Sequence, residues 1–162
     1  MSDADSTTDS IRPYTESEII MTAVRIVSPF ILTYGLFITF HGADSPGGGF
    51  QGGALIGVVV LMLAFAFGVR PTREWVGTGL MTGLAAGGVI VFVSVGLGTL
   101  ALGGKFLEYG LYEPFIGPDA TKWGMEAIEI GGVAAIVSGV IMALFFLIAA
   151  GFDTGAAGGE DG

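Results

Sequence analysis

Four long apolar blocks, at about 19–40, 54–69, 76–102 and 125–150, carry most of the chain, and short polar or glycine-rich stretches separate them. Each approaches the roughly 20 apolar residues that a helix needs to cross a bilayer. The pattern predicts an all-α polytopic membrane protein with four transmembrane helices and a glycine-rich loop between the first two. Arg25 and Pro29 interrupt the first block. Arg25 lies one or two turns inside, where a long side chain can snorkel back to the nearer interface. An intramembrane ion pair is the sharper alternative, because ionisable groups inside spans tend to be functional. Pro29 removes one helical hydrogen bond and predicts a kink, with Ser28 or a neighbouring helix satisfying the carbonyl left free.

The second block is short, so part of the preceding loop is expected at the membrane interface, with the span starting as early as Gly52. Arg70, Pro71, Thr72, Arg73, Glu74 and Trp75 then read as a compact polar turn, with Pro71 stopping the helix and Trp75 as an interfacial aromatic. Gly79, Gly83 and Gly87 recur every fourth residue of the third block, the small-xxx-small pattern of close helix contact, and Gly131, Ala135, Gly139 and Ala143 repeat it in the fourth. The connection at about 103–122 carries Phe106, Leu107, Tyr109, Leu111, Tyr112, Phe115 and Ile116. It is too apolar for a freely solvated loop and is expected along the interface or against a partner. Pro114 and Pro118 keep it from forming one helix, Asp119 is placed to cap the fourth span, and Trp123 marks the next interface.

Composition sharpens the class. Of 162 residues, 52% are hydrophobic and 13% charged, against about 25% charged in ordinary soluble domains. The absence of cysteine excludes disulfides, thiolate metal sites and cysteine nucleophiles, and a single histidine excludes a multi-histidine metal centre within the chain. A net charge of -9 argues against nucleic acid, which needs a basic footprint. Many acids sit in the two tails, 1–18 and 151–162, which flank a membrane domain at 19–150. Solvated, disordered ends explain them, and adaptation to a salty cytoplasm is the alternative. The N-terminal tail lacks a basic n-region and a cleavage site, so no signal peptide is expected. Arg12, Arg70 and Arg73, with Arg25 nearby, lie on one side of the membrane and Lys105 and Lys122 on the other. This thin bias places both termini in the cytoplasm.

The candidate chemistry is sparse. The stretch His41-Gly42-Ala43-Asp44-Ser45-Pro46-Gly47-Gly48-Gly49-Phe50-Gln51-Gly52-Gly53 joins the first two blocks. It matches G-x-G-x-x-G by letter, but that fingerprint needs a preceding strand and a βαβ unit, and here an apolar span precedes it. Ala54 and Leu55 occupy the positions that a P-loop gives to Lys and Ser/Thr. His41 and Asp44 form a candidate proton-accepting pair near the surface; the plainer reading is that His41 closes the first helix, where the dipole favours it. Glu126 and Glu129, three residues apart, share nearly one face of the last helix. Glu129 lies deeper, where a carboxylate must be protonated, paired or hydrated. It either complements a helix N-terminus or touches a cation or proton path. No nucleophile–base arrangement, metal cluster or cofactor motif is present, so neither an enzyme nor a cofactor protein is expected.

Phe40-His41-Gly42, a short gap, and Ser45-Pro46-Gly47-Gly48-Gly49-Phe50-Gln51-Gly52-Gly53 resemble the B subunit (MnhB/MrpB family) of multisubunit cation/proton antiporters. The resemblance covers about Ile19 to Ile148. Where the family usually has Asp-Ile-Gly-Val in its last helix, this chain has Glu129-Ile130-Gly131-Gly132. The resemblance implies a small multi-pass subunit of the cell membrane, partnered by other membrane subunits and by lipid, in an assembly that exchanges Na+ for H+. The alternative is a structural subunit of a related respiratory or hydrogenase-type complex containing the same module. The ion-path candidates are then Glu129, Glu126, His41, Asp44 and Arg25. Pro46, Gly47, Gly48, Gly49, Gly52 and Gly53, with Gly83 and Gly87, are expected to let backbones pack closely, and Phe50 and Gln51 to anchor the stretch.

Overall fold

The computed structural model describes residues 17–42 and 48–157. The acidic N-terminal residues to 16, residues 43–47 (with Asp44, Pro46 and Gly47 among them) and the last five residues lie outside the described residues. Helix α1 spans Glu18–Phe40, α2 Gly48–Phe67 and α3 Val69–Ala101. A folded connection comes next, with a 3-10 turn at Tyr109–Tyr112 and a one-turn helix α4 at Glu113–Ile116. The last rod comprises α5 (Ala120–Glu126), a π-helical segment (Ala127–Ala134) and α6 (Ala135–Ala157). It thus runs on past the 150 boundary drawn from hydropathy. Among the described residues there is no strand, and four helical stretches are long and apolar enough to cross a membrane.

Ser17 opens α1, its hydroxyl accepting the Ile20 N–H at 3.5 Å, with Glu18 in the first turn, where the helix dipole favours a carboxylate. Pro29 sits inside α1, and Thr33 Oγ1 donates to the Pro29 carbonyl at 2.7 Å. Ser28 does not satisfy a freed carbonyl: its hydroxyl is buried without a hydrogen-bond partner among the described residues.

The helices alternate in direction, which gives the bundle two ends. The end of α1, the start of α2, the α3–α5 connection and the start of the last rod meet at one, here the glycine end. At the other, the arginine end, α2 turns into α3. Pro71 does not stop a helix there. It lies in the first turn of α3, where an amide N–H has no intrahelical partner to lose, so Arg70–Trp75 is helical. The chain reverses at Gly68 instead, whose φ of 102° suits glycine. Gly77, at φ 68° and ψ 144°, breaks α3 just after this opening stretch.

Ala64, Val76, Met81, Met142 and Phe146 form a buried cluster toward the arginine end. Large apolar side chains elsewhere stay exposed along the spans, including Phe30 at 72%, Ile90 at 65% and Leu147 at 64%. Helices that leave such groups uncovered along their length fit a lipid or protein-subunit environment rather than water. Trp75 and Trp123, both exposed, mark the two ends, as interfacial aromatics do.

The two glycine stripes behave differently. In the last rod, Gly139 backs onto α3: a Cβ there would lie 2.8 Å from the Met81 carbonyl oxygen, and one at Gly131 would lie 3.2 Å from Val91. In α3, by contrast, nothing lies within 4 Å of a Cβ at Gly79, Gly83 or Gly87. The seam inside the chain is made by Gly88, 2.7 Å from the Gly132 carbonyl oxygen on the same measure.

The α3–α5 connection is folded onto this chain. The Thr99 hydroxyl, fully buried, lies 2.8 Å from the Gly96 and Lys105 carbonyl oxygens and accepts the Leu107 N–H at 3.0 Å. This bond holds Leu107 at a φ of 64°, a conformation that costs a non-glycine residue about 1–3 kcal/mol unless its surroundings impose it. The Tyr112 hydroxyl donates to the Val95 carbonyl at 2.8 Å. Asp119 precedes α5, but its side chain makes no capping bond; its carbonyl accepts the Trp123 N–H instead. Thr99→Val keeps the shape and removes the hub, leaving the Leu107 N–H without its acceptor, a loss of about 1–3 kcal/mol for a buried group. Trypsin is expected to cut after exposed Lys105 faster in this variant than in the wild type.

Candidate functional site

The glycine stretch from Gly48 is not a loop. It is the opening of α2, and helical geometry sorts its glycines onto two faces, because residues four apart stack on a helix. Gly48 and Gly52 meet α1: a Cβ at Gly48 would sit 2.8 Å from the Ile38 carbonyl oxygen, and one at Gly52 2.7 Å from that of Gly35. Gly49, Gly53 and Gly57 meet the last rod. A Cβ at Gly53 would lie 2.6 Å from the Ala134 carbonyl oxygen, one at Gly57 3.0 Å from Ile141, and one at Gly49 would strike the Glu129 main chain. The low helix propensity of glycine is overridden because only backbone fits between these two neighbours.

At the Gly49 contact the Glu129 side chain turns into the first turn of α2, and Oε2 accepts the Gly49 N–H. That N–H is one of the four at a helix start without an intrahelical acceptor, and the positive end of the helix dipole lies there. Gly42, at the end of α1, closes the other side: a Cβ on it would lie 2.5 Å from the same carboxylate oxygen. The half-buried carboxylate therefore sits where three helices converge. Its Oε2 is met by a backbone N–H at the positive end of the α2 dipole. Its own helix is π-helical at this point, a geometry that recurs at functional sites. A carboxylate so placed can hold a proton or a small cation, and exchange between the two needs no redox or covalent chemistry.

Tyr109 comes from the folded connection. Its ring rests on Gly124, where a Cβ would lie 2.8 Å from the ring Cγ. Burial first, and the Glu129 carboxylate second, push the Tyr109 hydroxyl above its ordinary value. The phenol is therefore neutral across physiological pH.

The other residues marked in the sequence lie as follows. Glu126 ends α5, half-buried, and the hydrogen bond to α2 comes from Glu129 alone of the two. His41 closes α1 through its backbone N–H, 3.0 Å from the Phe37 carbonyl, with its ring 4.2 Å from that of Phe37. Arg25 is at the opposite end, its guanidinium 5.1 Å above the Phe67 ring, the geometry of a cation over an aromatic face. Phe50 and Gln51 are exposed. Sequence reading missed Gly42, Gly57, Thr99 and Tyr109 as partners in this arrangement. The i, i+4 spacing of Gly49, Gly53 and Gly57 was the available signal, concealed by taking the stretch as a loop.

Fold and site together define a multi-pass membrane protein in which a carboxylate set among the helices caps a neighbouring one. The model described as "Domain related to MnhB subunit of Na+/H+ antiporter" matches residues 19–143. The chain belongs to the MnhB family. It is similar to the B subunit of the Na(+)/H(+) antiporter of Bacillus subtilis (strain 168), 28% identical over 133 residues that cover 80% of this chain and 91% of that one. It is also similar to the subunit of the same name from Alkalihalophilus pseudofirmus, 25% identical over 131 residues covering 79% and 89%.

Proposed function

We propose that this chain is a membrane subunit of a multisubunit Na+/H+ antiporter, and that Glu129 is a station of the ion path the assembly builds. The observation that carries the reading is the Glu129 carboxylate held at the α2 N-terminus by the Gly49 N–H. The family match and the names of the relatives favour the antiporter over a respiratory or hydrogenase-type assembly. The chain acts as a transport component, not as an enzyme. Both termini lie in the cytoplasm, which puts the glycine end outside. Glu129→Gln tests the reading: normal assembly with lost exchange supports it, and normal exchange rejects it.

The assembling surfaces lie on the open faces. Phe50 and Gln51 stand outward beside the site, and Gly79, Gly83 and Gly87 leave a groove along α3 that no described residue of this chain fills. Both suit close approach of a neighbouring subunit's helix. Gly83→Leu is expected to leave the chain folded and membrane-inserted but to reduce its recovery in the complex on native gels. Full recovery would exclude that face from the contact.

A further inference from the structure

The connection between α3 and α5 covers the glycine end in a specific way. Three of its aromatic side chains each seat on a glycine of the bundle: Phe106 on Gly96, Tyr112 on Gly98 and Tyr109 on Gly124. The first two, with the Thr99 hub, fasten the connection to α3. Tyr109 alone of the three reaches across to the last rod, just above the turn that carries Glu129. We propose that Tyr109 is a positioning residue for the ion path: its ring, seated on Gly124, holds the connection down and governs how readily water at the glycine end reaches the Glu129 carboxylate.

The ring is half-buried against Gly124. Burial first and the Glu129 carboxylate second hold the phenol neutral. Because that phenol is neutral, Tyr109 adds no charge to the route. Gly124 is what admits the ring, since any side chain there would occupy its seat. The inference rests on the reading of Glu129 as the ion-path carboxylate.

The test is chemical access. The assembled complex is treated with a water-soluble carbodiimide and a nucleophilic amine, and modification of Glu129 is followed by mass spectrometry of its peptide. Tyr109→Ala should be modified several-fold faster than the wild type. Gly124→Ala should be faster too, because its Cβ displaces the ring without deleting it. Tyr109→Phe, which keeps the ring, should match the wild type. Equal rates in all four proteins, including no modification in any, would overturn the proposal. So would Tyr109→Phe behaving like Tyr109→Ala, which would assign the effect to the hydroxyl. Labelling reports access and not transport. Equal labelling with lost exchange in Glu129→Gln therefore rejects the Tyr109 role alone, whereas retained exchange in Glu129→Gln rejects the ion-path reading.

Discussion

Gly49→Ala should leave little of this chain in the assembled complex, although it adds a single methyl group. The new Cβ would strike the Glu129 carbonyl oxygen and lie 3.0 Å from the Glu129 Cα. Both neighbours are backbone, which cannot rotate away as a side chain can, so α2 and the last rod must separate. Overpacking of this kind costs about 1–3 kcal/mol, and more where nothing yields. Separation also pulls the Gly49 N–H from the Glu129 carboxylate, leaving a half-buried carboxylate without its donor. Gly110→Ala is the internal control. It has open space around its Cβ and lies in the α3–α5 connection, outside both the α2 seam and the open α3 groove. On native gels at matched expression, Gly110→Ala should assemble as well as the wild type. Equal assembly of the two variants would show that the α2 seam is looser than described.

Glu129→Gln should have the opposite signature. Glutamine has nearly the same shape, and its amide oxygen can still accept the Gly49 N–H, so packing and assembly should hold. What disappears is the negative charge that binds a proton or a cation at the helix terminus. Exchange by the complex should fall by at least about tenfold, a factor that corresponds to about 1.4 kcal/mol. Glu129→Asp restores the charge on a stem one carbon shorter. It should recover part of the exchange, because the carboxylate must then reach further toward Gly49.

How much of this was legible in the sequence divides along physical lines. The four spans were readable because bilayer thickness sets a length that hydropathy reports directly, and both arginine-bearing and glycine-bearing ends followed from their order. The start of α2 was not. Glycine-rich sequence reads as loop on local propensity, and only the two neighbours that demand bare backbone make it helical. Pro71 misled for a related reason: it breaks a helix interior but is harmless in a first turn, and the exact start of α3 decides between these. Glu129 was recognisable as a costly carboxylate at depth. Its partner was not, because a hydrogen bond between residues 80 apart in sequence leaves no local trace. The α3 stripe at Gly79, Gly83 and Gly87 shows the converse limit: spacing announces a contact surface without saying whether the partner lies in the same chain.

The central claim is that the charge on Glu129, held at the start of α2, serves ion exchange. Sodium-dependent dissipation of a pH gradient, measured in everted membrane vesicles containing equal amounts of assembled wild-type or Glu129→Gln complex, tests it most directly. The predicted result is an intact complex with exchange reduced at least about tenfold. An intact Glu129→Gln complex that dissipates the gradient at the wild-type rate would contradict it.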